Sequence, residues 1–179
     1  EQMGQNYDAD QKVYAFYFQN TLDLNQYSTS ISFGARTENT DFGGRDEVNR
    51  GVTGFSFATD HDTYDIKRSN IALNIGFEKR IGKYLSIFSN YSEAFRVPNI
   101  DERIKATTSG SFALNDQESE NIEIGIRSSL EKSSFNLSFY KMDTINEIQY
   151  DQSKNTNLDP IERTGVNLDF EHQIDKINS

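Results

Sequence analysis

Seven stretches of this sequence place an apolar residue at every second position, and no other property of the chain constrains its fold as tightly. Tyr14, Phe16, Phe18, Leu22 and Leu24 alternate with small or polar neighbours; so do Ile31, Phe33 and Ala35, and after them Ile71, Leu73, Ile75 and Phe77. Leu85, Ile87 and Tyr91 repeat the pattern, followed by Ile122, Ile124 and Ile126, by Phe135, Leu137 and Phe139, and by Val166, Leu168 and Phe170. A helix would need a period near 3.6, whereas a strand sends successive side chains to opposite faces. Each stretch therefore predicts a strand with one apolar and one polar face.

The connections alternate as strictly as the strands. Short breaks near Asn25-Gln26, Arg80–Lys83 and Glu131-Lys132 are interleaved with long polar segments, Asn39–Asp65, Arg96 to Gln117 and Asp151–Ile161. The pattern slips near Ile145–Ile148, where a bulge or an extension beyond the regular strand is expected. Two architectures use half-apolar antiparallel strands, the soluble sandwich and the up-and-down transmembrane barrel. The polar face carries Arg36, Glu78, Glu123, Arg127, Asp169 and Glu171, which a second packed sheet would bury at high cost and a wet lumen accommodates. Short turns on one side and long loops on the other also fit the barrel. The expected fold is all-β: an antiparallel up-and-down transmembrane β-barrel, present in part as about seven strands of a larger one.

A formal net charge of -10 without any basic stripe argues against nucleic acid as a partner. No apolar run approaches the roughly 20 residues of a membrane-spanning helix, which says nothing against strands. The absence of Cys removes disulfides, thiolate metal sites and Cys nucleophiles. Asp60-His61-Asp62-Thr63-Tyr64-Asp65 gathers oxygen and nitrogen ligands but lacks the Gly and the closing Glu of a calcium loop. The second histidine, His172, ends a strand on its apolar side. No nucleophile elbow, phosphate loop or His-Glu-x-x-His occurs, so no catalytic or metal residue is assigned and no enzyme is expected.

Three motifs in order add a resemblance. Tyr91–Arg103 reads YSEAFRVPNIDER, Leu114–Arg127 reads LNDQESENIEIGIR, and Glu162–Glu171 reads ERTGVNLDFE. Together they resemble the late-barrel signatures of TonB-dependent outer-membrane receptors, departing at Val97, Asn115-Asp116 and Asn167. The resemblance implies that residues 1–179 form part of such a β-barrel, with the N-terminal plug domain and the closing strands lying outside the sequence. The ends, without an initiating Met or signal peptide and directly after a strand-like run, carry the same expectation of a piece of a longer chain. It further implies residence in the outer membrane of a Gram-negative bacterium and contact with its lipid. Energised uptake of a scarce nutrient follows, foremost a ferric siderophore or similar iron chelate, with a TonB-type energising protein acting through the plug and no cofactor. A passive porin-like channel and a secreted soluble β-sheet carbohydrate-active protein are the competing readings.

Arg45, Arg50, Tyr64, Arg96, Asn99 and Arg103 fall in the long segments and are the candidate ligand contacts. Guanidinium groups suit the oxygens of carboxylate or catecholate ligands. The resemblance also implies an iron chelate rather than haem, because haem receptors of the family place a His in the loop after the Phe-Arg-x-Pro motif and Arg96 to Gln117 contains none; His61 in the preceding long segment is the alternative axial ligand.

Overall fold

The computed structural model describes residues 5–51, 57–104, 114–151 and 154–174, with side chains over 8–45, 65–103, 114–150 and 155–174. Seven strands form one open antiparallel sheet: β1 (Gln5–Leu24), β2 (Thr29–Gly51), β3 (Phe57–Ile81), β4 (Leu85–Arg96), β5 (Gln117–Ser129), β6 (Ser133–Ile145) and β9 (Ile161–His172). Each pairs with its neighbour in sequence order, apart from a separate hairpin, β7 (Ile148–Asp151) with β8 (Lys154–Asn157), which interrupts the chain between β6 and β9. One short helix, α1 (Ile100–Ile104), follows β4.

Register brings the seven apolar rows onto a single face. Ile31 pairs with Phe77, Phe33 with Ile75, Ile75 with Tyr91, and Tyr91 in turn with Ile122. Further along, Ile124 meets Phe139 and Phe139 meets Val166, while Ile126, Leu137 and Leu168 form the next row. Among the described residues nothing covers this face: Phe16 is 73% exposed, Ile124 61% and Phe170 70%. A sandwich would bury these side chains, so the exposed belt belongs against lipid.

Burial is found on the other face. Glu38, Thr40, Phe42, Phe88, Ser138 and Thr144 are all buried, and all project from the polar side of their strands. Two glycines help them fit. Gly125 is paired with Phe88, whose ring lies where a Cβ would go, and Gly165 is paired with Tyr140, whose ring does the same.

Where the strands leave the hydrocarbon is written in their charges. Glu93, Glu120, Asp143 and Glu162 are directly paired across β4, β5, β6 and β9, on the apolar side and next after the Tyr91–Ile122 row. Like charges opposite one another are destabilising, and carboxylates are costly in lipid. Lys141 bridges two of them, 3.2 Å from Asp143 and 2.8 Å from Glu162. The row marks the upper edge of the apolar belt.

The short turns take the expected places. A 3-10 turn at Asn25–Tyr27 ends in Ser28 at φ 50°, and Gly82 adopts φ 67° between β3 and β4. The Lys79 ammonium and the Arg80 amide both donate to backbone carbonyls of the first turn, tying the two turns together.

The long segments differ from expectation. Asn39–Asp65, expected as a polar loop, is largely strand: β2 has 23 residues and β3 has 25, paired from Thr29–Lys79 to Gly51–Phe57. About ten residues suffice to cross a bilayer, so this hairpin stands well clear of it. There backbone pairing holds the two strands together and needs no alternation of side chains. At Ile145–Ile148 the register does not bulge. The strand stops, Asn146 takes φ 55°, and β7 begins in the second sheet.

Candidate ligand-binding face

Pro98 cannot donate to a ladder, and β4 ends at Arg96, two residues before it. The next residues form a reciprocal cap: the Glu102 amide donates to Asn99 Oδ1 at 2.8 Å, and the Asn99 amide donates to Glu102 Oε2 at 2.9 Å. Arg96 Nη1 donates to both Glu102 oxygens at 2.7 and 3.0 Å. Arg96, Asn99 and Glu102 thus form one clasp that turns the chain back over the polar face.

Arg103 is the deepest part of that turn. Its side chain is 1% exposed, its guanidinium lies 5.3 Å from the Phe42 ring centroid, and it approaches Asp116 to 3.8 Å. Nη1 also donates to the Leu114 carbonyl at 3.5 Å. Asp116, itself buried, accepts from Asn70 Nδ2 at 2.7 Å and lies 4.0 Å from Arg68 Nε. Burial pushes the Arg103 guanidinium below its ordinary value, Asp116 opposes the shift, and Arg68 adds to it. The group stays charged, held between an aromatic face and a carboxylate.

A second set of bonds joins this turn to the β7–β8 hairpin. Asn155 Nδ2 donates to the Glu102 carbonyl at 2.8 Å; Asn157 accepts from the Asn115 amide at 2.8 Å and donates to the Asn115 and Asn146 carbonyls at 3.1 and 2.7 Å. Two loops and the β2–β3 wall are therefore linked at the mouth of the polar face.

The candidate residues are dispersed over this architecture. Arg45 is exposed near the far end of β2. Arg50 and Tyr64 lie in β2 and β3, and their side chains fall outside the described residues, as does that of His61. Arg96 and Asn99 belong to the clasp, and Arg103 faces inward rather than solvent. His172 is exposed, its Nδ1 2.8 Å from Ser133 Oγ.

Sequence reasoning passed over the partners of these groups. Arg36, Arg68, Arg96, Arg103, Arg127 and Arg163 each lie within 4.0 Å of a carboxylate. Only the Asn99-x-x-Glu102 spacing signalled any of this in advance. A cavity of about 420 Å³ also lies in the cleft between β3 and β4, with Tyr17, Arg36, Glu38, Asn74, Glu93 and Phe95 in its wall.

The family profile described as TonB dependent receptor-like, beta-barrel matches residues 3–177. Solved structures of the same fold include the ferric-catecholate import receptor Fiu from K12 E. coli, 14% identical with a TM-score of 0.72 over 94% of this chain and 26% of its own. The copper transporter OprC is 16% identical with a TM-score of 0.72, over 94% of this chain and 27% of its own. The FrpB iron transporter from Neisseria meningitidis is 14% identical with a TM-score of 0.66, over 93% and 24%. The chain thus spans about a quarter of the length of each of these three. No curated protein matches it in sequence at a significant level.

Proposed function

Because the chain belongs to the TonB-dependent receptor β-barrel family, we propose that it is a piece of the wall of an outer-membrane receptor for energised uptake of a scarce nutrient, a ferric siderophore first among the candidates. The family is one of transporters and not of enzymes. The observation that carries the reading is the division of one sheet into a continuous uncovered apolar face and a face of buried polar and paired charged groups. Such a wall faces lipid on one side and an aqueous lumen on the other.

On this reading the plug domain and the remaining strands belong to the rest of the receptor, and a TonB-type protein of the periplasm acts on the plug. Arg45, Arg50 and Tyr64, all on the extended β2–β3 hairpin, contact the ligand. Arg96, Asn99 and Arg103 hold the turn that shapes the mouth. The iron receptors among the structural neighbours support an iron chelate, and the copper transporter makes a metal ion the natural comparison.

The test is an iron-starved Gram-negative host in which the full-length receptor is the only one present. Growth restored by a ferric siderophore, and lost when the energising protein is deleted, is the expected result. Growth that persists without that protein would support a passive channel. Uptake of copper with no iron source accepted would replace the iron reading.

A further inference from the structure

The β3–β4 ladder runs from Ile81–Leu85 only to Asn74–Ser92, although β3 continues to Phe57 and β4 to Arg96. Beyond that point the strands part. Glu93, the first β4 residue past the split, belongs to the carboxylate row at the edge of the belt, so the cleft lies in water and its free backbone groups are solvated.

Arg36 fills part of this cleft from two strands away. It is paired with Ala72, whose side chain is too short to block it, and its guanidinium reaches 5.7 Å from the Phe95 ring centroid. Nη2 donates to Glu38 at 2.5 Å, and Glu38 is buried. Tyr17 lies opposite Arg36 on β1 and is 83% exposed. The volume of about 420 Å³ falls within the range of small-molecule sites.

The charges decide what could enter. Among the described residues Arg36 is the only cation in the wall, against the two carboxylates Glu38 and Glu93. One carboxylate neutralises the guanidinium and the other leaves the site negative, so an anionic group is disfavoured. The rings of Tyr17 and Phe95, the spare N–H donors of Arg36 and the Asn74 amide are among the groups left to meet a ligand.

The geometry points to a ligand subsite in this cleft for an uncharged, planar group bearing a hydrogen-bond-accepting oxygen, such as an aromatic amide. Phe95 and Tyr17 stack against the plane, and Arg36 donates to the oxygen while Glu38 holds it in place. The inference rests on the receptor reading and narrows its substrate class, away from ligands that present carboxylate at this point.

Benzamide and benzoate, alike in shape and different in charge, are the probes. Saturation-transfer NMR with the full-length receptor in detergent micelles should show benzamide bound more tightly than benzoate. Phe95→Leu and Arg36→Gln should each weaken benzamide by about fivefold. Tyr17→Leu, at an exposed position, should do so without affecting folding. Equal binding of the two probes, or benzamide binding unchanged in Tyr17→Leu and Phe95→Leu, would overturn the proposal. The measurement needs no transport, so its failure leaves iron uptake untouched, and failure of iron uptake leaves this result standing.

Discussion

Replacing Arg103 by Met keeps much of the side-chain volume and removes one buried charge. Asp116 then stays 7% exposed with its nearest cation, Arg68 Nε, at 4.0 Å and one hydrogen bond from Asn70 at 2.7 Å. Breaking a buried pair by removing one partner costs about 3–5 kcal/mol. The surviving contacts put this case at the lower end, near 3 kcal/mol by the same reasoning. The loss falls on the turn after β4 and not on the whole barrel, so a global melt would miss it. Amide exchange reads it directly: the Arg103 N–H, bonded to the Asn99 carbonyl at 3.1 Å, should exchange about a hundredfold faster. Arg103→Met with Asp116→Asn removes the stranded charge and should recover most of the protection. If the single variant exchanged at the wild-type rate, or the double variant no more slowly than the single, the buried pair would not be what holds this turn.

Three other outcomes follow from the facing of the sheet. Ile124→Arg should cost about 2–4 kcal/mol in refolding into lipid vesicles, while Asn74→Ser, on the opposite face, should cost little. A thiol placed at Glu123 should react with a membrane-impermeant reagent in the intact receptor, and one placed at Ile124 should not; the reverse pattern would exchange lumen and lipid. Gly125→Val, whose Cβ would lie 2.6 Å from both the Phe88 ring and the Leu137 carbonyl, should destabilise by about 1–3 kcal/mol, part of it regained with Phe88→Ala.

The lipid-facing belt was legible because lipid imposes a rule on every second residue, and all seven apolar rows lie where that rule puts them. The upper part of the β2–β3 hairpin was illegible for the converse reason. Residues such as Gly43, Gly44, Asp46 and Asp62 pair through their backbones beyond the apolar belt, where composition carries no period. The local half of the mouth was within reach, since Asn99 and Glu102 stand at the spacing of a reciprocal cap. The inward position of Arg103 was not: it depends on Phe42 from β2, Asn70 from β3 and Asp116 ahead of β5 arriving at one place. Pairing with carboxylates hid in the same way, because Glu78 meets Arg127, and Glu147 meets Arg163, only once the strands are side by side.

The six ladders between neighbouring strands run without a register break over all their described pairs. Insertions and deletions are therefore tolerated in unequal ways along the gene. One codon gained inside the β5 ladder would move every residue beyond it to the other face, sending Glu123 toward lipid or Ile124 toward water. Two codons would restore the facing but shift the strand by a full row against both neighbours. At the tip of the β2–β3 hairpin, or between β7 and β8, a codon more or less changes only reach. Length should thus vary freely at one end of this wall and hardly at all in its middle.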